Sequence, residues 1–131
     1  MHWRQQCIRA CRERGGAALD LLGRRRWVME VFSRDPTTRS EGEREVVNMV
    51  PQGTSAGIIK KAMPKVHRVT KSMDGTLRNQ IHDELVGTWT DEAEDYFGHV
   101  VEGLMVSFDE LDIPLKVESA IGETWLNAKP K

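Results

Sequence analysis

The sequence predicts an α+β fold, a small antiparallel sheet with helices packed against it. Three observations carry that expectation. Two stretches, "AALDLLGRRRWVMEVF" (17–32) and "TLRNQIHDELVGTW" (76–89), read as pairs of short strands about a turn. Other stretches repeat apolar residues every three to four positions, the signature of a helix face. With 131 residues, 39% of them hydrophobic, the chain suits one core and is short for two, so 1–131 is taken as a single domain.

The first element, "WRQQCIRACRER" (3–14), places Trp3, Cys7, Ala10 and Cys11 on one helix face and the arginines on the other. Gly15-Gly16 is a C-terminal stop. A hairpin about Gly23 follows. "SRDPTTRSEG" (33–42) has the composition of a loop. Ser40 with Glu43 matches a capping box, so a helix is expected to open near Glu41 and to break or kink at Pro51 and Gly53.

A second helix, "SAGIIKKAMPKVHRV", turns Ile58, Ile59, Ala62, Met63, Val66 and Val69 to one side. Pro64 removes one N–H and crowds the carbonyl of Lys60, so a kink is expected there. "SMDGT" is a turn. After the second hairpin, Thr90 is a helix cap with Asp91 and Glu92 near the positive end. Ala93, Phe97, Val100, Val101, Leu104, Met105 and Phe108 form that helix's apolar stripe. "IPLKVESAIG" alternates Leu115, Val117, Ser119 and Ile121 and reads as a strand.

Charge is divided along the chain. Residues 1–78 hold 16 Lys and Arg against 8 Asp and Glu, a net of +8; residues 79–131 hold 3 against 12, a net of −9. Such a split suits a basic surface for a polyanion, although segregated charge also arises in chains that merely fold back on themselves. Cys7 and Cys11 lack the spacing of a redox or zinc pair and read as two small buried apolar residues in a reduced chain. No run reaches the roughly 20 apolar residues of a membrane helix, and the N-terminus has no signal-like core, so a soluble cytoplasmic chain with no membrane partner is expected.

The triplet His82, Asp83, Glu84 is unusual where a turn is needed. It contains no Asn-Gly, no Gly-Gly and no proline. By composition alone it is a solvated turn; Asn48 and Gln52 are helix-surface amides, and Lys60, Lys61 and Lys65 a solvated face. Arg24, Arg25 and Arg26 suit either phosphate contact or solvation of a hairpin.

Four blocks change those weights: "GRRRWV", "EREVVNMVPQGTSAGIIKKAM", "QIHDELV" and "PLKVESAIGETWLNAK". In this order and at these distances they resemble the family A DNA polymerases, the bacterial DNA polymerase I and phage group, from about Gly15 to the end. The resemblance implies the C-terminal part of a polymerase palm. "QIHDEL" then looks like the third polymerase motif at a hairpin tip. Asp83 would be one of two aspartates holding a pair of Mg²⁺ ions, which activate the primer 3′-hydroxyl and stabilise the leaving pyrophosphate. Mg²⁺ takes one or two carboxylates and keeps several waters, which a strand tip can provide. Glu84 would sit near the metals and His82 against the primer-terminal backbone.

By the same resemblance, Gln52 and Asn48 would reach the minor groove near the primer terminus, where acceptors common to all correct pairs test shape rather than sequence. Arg44 matches a basic position of that block. The implied partners are primer–template DNA and, in a complete enzyme, a deoxynucleoside triphosphate.

The match also departs from the family. Asn79 stands where an apolar strand residue is usual, and Pro64 interrupts a helix that usually runs on. The first palm motif with its partner aspartate has no counterpart, nor has the fingers helix that grips the triphosphate. A separate chain carrying those motifs is therefore an expected partner. The leading expectation is a polymerase palm segment for nucleotidyl transfer in DNA replication or repair, incomplete alone, in a bacterial or phage-infected cell. A duplex-binding remnant without catalysis is the alternative. A small metal-dependent hydrolase built on Asp83, Glu84 and Asp91 is a third.

Overall fold

The computed structural model describes residues 2–90, 94–109 and 111–128. Its elements run α1 (Trp3–Glu13), β1 (Ala17–Leu19), β2 (Arg25–Trp27), a 3₁₀ turn (Met29–Phe32), α2 (Pro36–Asn48), a π turn (Met49–Gly53), α3 (Thr54–Ser72), β3 (Thr76–Ile81), β4 (Glu84–Thr88) and α4 (Glu94–Val106). The fold is α+β. Its strands form two separate two-stranded antiparallel sheets, β1–β2 and β3–β4, rather than one small sheet. The chain falls into two compact units, Met1–Gly57 and Ile58–Lys131.

In the first unit, α1 ends as the glycine pair predicts. Gly15 and Gly16 have φ of 68° and 100°, and Gly16 N–H closes the helix on the Cys11 carbonyl at 2.9 Å. Cys11, Ala18, Val28, Val31 and Val46 make the core, with Cys7 and Met49 packed against it. Both thiols are free, and burial pushes the Cys11 thiol up against the opposing charges of Arg14 and Arg12. Trp3 stays about half exposed. The stretch "MEVF" leaves the predicted strand and forms the 3₁₀ turn, which buries Val31.

Helix α2 begins at Pro36, five residues before the expected start at Glu41. Asp35 caps it by accepting the Thr38 N–H at 2.7 Å, and Pro36 follows as the first helical residue. Asp-Pro is thus the start signal, and it outweighs the Ser40/Glu43 box. Gly42 allows the helix to lie against the 3₁₀ turn. A Cβ there would stand 2.7 Å from Glu30 Cβ and 2.9 Å from Val31 N.

Pro51 and Gly53 do mark a change in the helix, but it is a π turn rather than a break. A proline ring clashes with the carbonyl four residues back, here Val47. The wider turn moves that carbonyl past the ring. Thr54 then donates its hydroxyl to the Val50 carbonyl at 2.5 Å.

In the second unit, the predicted face of α3 is the buried one: Ile59, Ala62 and Val66 are buried, while Ile58, Met63 and Val69 are half-buried. The helix continues through Pro64 to Ser72. It closes at Asp74, φ 53°, where Gly75 N–H donates to the Thr70 carbonyl at 2.8 Å. Lys65 is not merely solvated: its ammonium donates to the Ser107 carbonyl at 3.3 Å and lies 5.2 Å from the Phe108 ring centroid.

Residues 112–122 form no strand. Leu115 and Val117 are half-buried between exposed Lys116 and Glu118, but Ser119 and Ile121 are exposed and Ala120 is half-buried, so the expected alternation holds only as far as Glu118. A strand also needs a partner edge, and none pairs with this segment among the described residues. Asp91, Glu92 and Ala93, and the side chain of Phe97, lie outside the described residues; α4 is described from Glu94. Among the described residues no helix is long and apolar enough to cross a membrane.

Candidate functional site

The predicted site residues fall into two groups, one in each unit. Arg44, Asn48 and Gln52 lie on exposed positions of α2 and its π turn, four residues apart. In a straight α-helix each step of four advances the face by about 40°. The π turn advances less per residue, so it brings Gln52 back towards the line of Arg44 and Asn48.

These three residues line a groove of about 760 Å³ together with Arg24, Arg25 and Arg26. Glu41 and Glu45 line it too, so four arginines face two carboxylates.

A buried carboxylate places the arginine hairpin there. Asp20, 5% exposed, accepts the backbone N–H groups of Leu22 at 3.0 Å and Arg24 at 2.9 Å through Oδ1. Its Oδ2 stands 3.2 Å from Arg24 Nε, an ion pair not aligned as a hydrogen bond. Leu21 N–H donates to Thr54 Oγ1 at 3.0 Å.

Two glycines let the turn come this close. A Cβ on Gly53 would meet Asp20 Cβ at 3.0 Å, and one on Gly57 would meet Leu22 Cδ1 at 2.6 Å. Sequence reasoning treated Gly53 only as a helix breaker and missed Asp20 and Thr54. Glycines four apart on one helix are the signal for close approach.

The second group is the β3–β4 tip. Ile81 pairs with Glu84, so His82 and Asp83 alone form the turn and Glu84 is the first residue of β4. All three are exposed. His82 has φ 53°, a conformation that costs a side-chain-bearing residue about 1 kcal/mol or more. The Gln80 side-chain amide donates to the His82 carbonyl at 2.6 Å and holds the tip.

The hairpin is also irregular lower down. The register shifts between Leu77 and Asn79, so Arg78 bulges and donates to Thr88 Oγ1 at 3.0 Å. Asn79 is exposed, so an amide is tolerated where an apolar residue was expected.

Asp83 and Glu84 are hard oxygen donors, the type Mg²⁺ selects. Among the described residues, however, no three His, Cys, Asp or Glu side chains converge to hold a metal. The tip can contribute to a metal site rather than compose one.

Residues 1–127 match the family model of DNA polymerase family A. The thermostable DNA polymerase I of Thermus filiformis is 36% identical over 127 residues, which cover 97% of this chain and 15% of that protein. DNA polymerase I of Bacillus subtilis is 37% identical over 116 residues, covering 87% and 13%. Among solved structures, the POL domain of Pol1 from M. smegmatis, in complex with DNA primer-template and dNTP, aligns with a TM-score of 0.80 and 30% identity over 86% of this chain and 20% of that one.

The chain belongs to DNA polymerase family A, and it spans about 15% of the length of the curated relatives it matches.

Proposed function

We propose that these residues form the C-terminal palm part of a DNA-directed DNA polymerase and contribute to template-directed nucleotidyl transfer in replication or repair. The observation that carries this reading is the tip: a two-residue turn that exposes Asp83 and holds His82 in a costly conformation. Strained turns persist where surrounding structure and function require them.

In this reading Asp83 is a metal ligand and Glu84 stands beside it. His82 meets the primer-terminal backbone. Gln52 and Asn48 test the shape of the terminal pair, and Arg44 contacts phosphate. A bound Mg²⁺ pair supplies activation of the 3′-hydroxyl and neutralises the leaving pyrophosphate. Glu84 opens β4 directly after Asp83 on the same tip, so it does not supply the separate second aspartate that the metal pair needs.

The remaining ligand and the triphosphate grip come from polypeptide outside these 131 residues. Trp27, Met29 and Phe32 support that, since they stand 62%, 58% and 48% exposed on neighbouring elements, as surfaces awaiting a partner do.

Primer extension tests the reading. The 131-residue chain alone is expected to be inactive, and activity to appear on mixing with a polypeptide that carries the missing motifs. Asp83→Asn in that assembly should lower Mg²⁺-dependent extension by about two to three orders of magnitude. Wild-type extension by the mutant assembly sinks the metal assignment. Absence of extension in any mixture, with salt-sensitive duplex binding retained, favours a non-catalytic remnant.

A further inference from the structure

The groove beside Arg44, Asn48 and Gln52 already holds an anion of its own. Glu45 Oε1 is in direct ion-pair contact with Arg26 Nη2, and both residues line the groove. The three consecutive arginines are therefore not equivalent. Arg24 is committed to the buried Asp20. Arg26 is held by Glu45. Arg25 makes no ion pair among the described residues.

Glu45 is four residues after Glu41, three before Asn48 and seven before Gln52, so it shares their helix face. The Arg26 side chain is 61% exposed and that of Glu45 34%. An ion pair this accessible is weak and screened, and a stronger anion can replace its carboxylate. A phosphodiester offers Arg the same forked geometry.

We propose that Glu45 is an internal counter-ion that competes with DNA phosphate for Arg26 and so limits how tightly this groove holds a duplex. The proposal rests on the duplex-binding reading above. Phosphate arriving at Arg26 displaces the carboxylate. The duplex is held less firmly than four arginines would hold it. A polymerase must let its duplex advance after every addition, and a weak, exchangeable backbone contact suits that need.

A double-mutant cycle tests it, with a fluorescein-labelled 25-base-pair duplex bearing a recessed 3′ end, about 50 mM salt and circular dichroism to verify folding. Glu45→Gln keeps the shape and removes the charge. It should tighten binding about three- to fivefold, the upper range for releasing one exposed ion pair so that Arg26 is free for phosphate. In an Arg26→Ala background the same change should alter affinity by less than about twofold, since the carboxylate then has no cation to withhold.

Glu41→Gln, in the same groove without the Arg26 contact, serves as the bulk-charge control and should have the smaller effect. Equal tightening by Glu45→Gln in both backgrounds, or by Glu41→Gln and Glu45→Gln alike, overturns the proposal and leaves only net charge. No tightening by Glu45→Gln in a chain that binds also overturns it. If folded wild type and Glu45→Gln both fail to bind, the duplex-binding reading itself is wrong and the proposal falls with it.

Discussion

The two hairpins use a turn aspartate in opposite ways. In β1–β2, Asp20 points inward, accepts two loop N–H groups and pairs with Arg24. In β3–β4, Asp83 is exposed and accepts no hydrogen bond among the described residues. The strain is distributed in the opposite sense. The first loop has its positive φ at Gly23, where it is inexpensive, while the second has it at His82, where it is not. A carboxylate consumed by its own backbone cannot bind anything else, whereas a free one on a strained turn can. The first hairpin is built to hold a surface in place and the second to present a group.

Stability measurements can break that contrast, and the largest effect is expected at Asp20. Asp20→Ala leaves the N–H groups of Leu22 and Arg24 without their partner and Arg24 without its counter-charge. We expect a loss of about 2–4 kcal/mol in denaturant unfolding, with Asp20→Asn costing less because an acceptor remains. Asp83→Ala should change stability by less than about 0.5 kcal/mol, as surface substitutions do. Equal losses at the two aspartates would show that the tip is structural after all.

A smaller effect should appear at His82. Glycine adopts φ 53° without steric cost, yet it also loosens the unfolded chain. His82→Gly should therefore leave the second unit as stable as before or more stable by up to about 1 kcal/mol, while lowering primer extension in a complete assembly. A variant that is both more stable and equally active would mean that the histidine is an accident of the turn.

The same contrast explains what the sequence could reveal. Hairpins, the apolar face of α3 and the glycine stop of α1 were legible because they depend on local pattern. The start of α2 was misplaced because two local signals competed: Asp35-Pro36 and Ser40/Glu43. Proline at the first helical position is pre-set for the helix, so the earlier signal won. The alternation at 115–121 holds only over 115–118, and pairing depends on a neighbour that pattern does not specify.

Among the candidate site residues, Arg44, Asn48, Gln52 and the triplet at 82–84 were visible through family blocks. Asp20, Thr54 and Gln80 were not, because each acts through backbone groups brought near it only by folding.

The smallest expected effect concerns a third aspartate, and it sharpens the contrast because Asp35 is both exposed and engaged. The Thr38 N–H lowers the Asp35 carboxyl below its ordinary value; the Thr38 hydroxyl, the Thr37 N–H and the Arg39 charge assist, against slight desolvation. Because the folded value is the lower one, the cap's contribution is complete above the unfolded carboxyl value of about 3.9 and is lost as pH falls through the folded value. Between pH 7 and pH 5 the start of α2 should therefore show constant amide-exchange protection, after correction for intrinsic rates. Below about pH 4 protection should decline. Asp35→Asn keeps a capping oxygen and cannot titrate, so its corrected protection should stay flat through the same range. Asp35→Ala should lose protection at every pH. If wild type and Asp35→Asn decline along the same acid curve, the titrating group lies elsewhere, and exposure alone, not engagement, would separate Asp35 and Asp83 from Asp20.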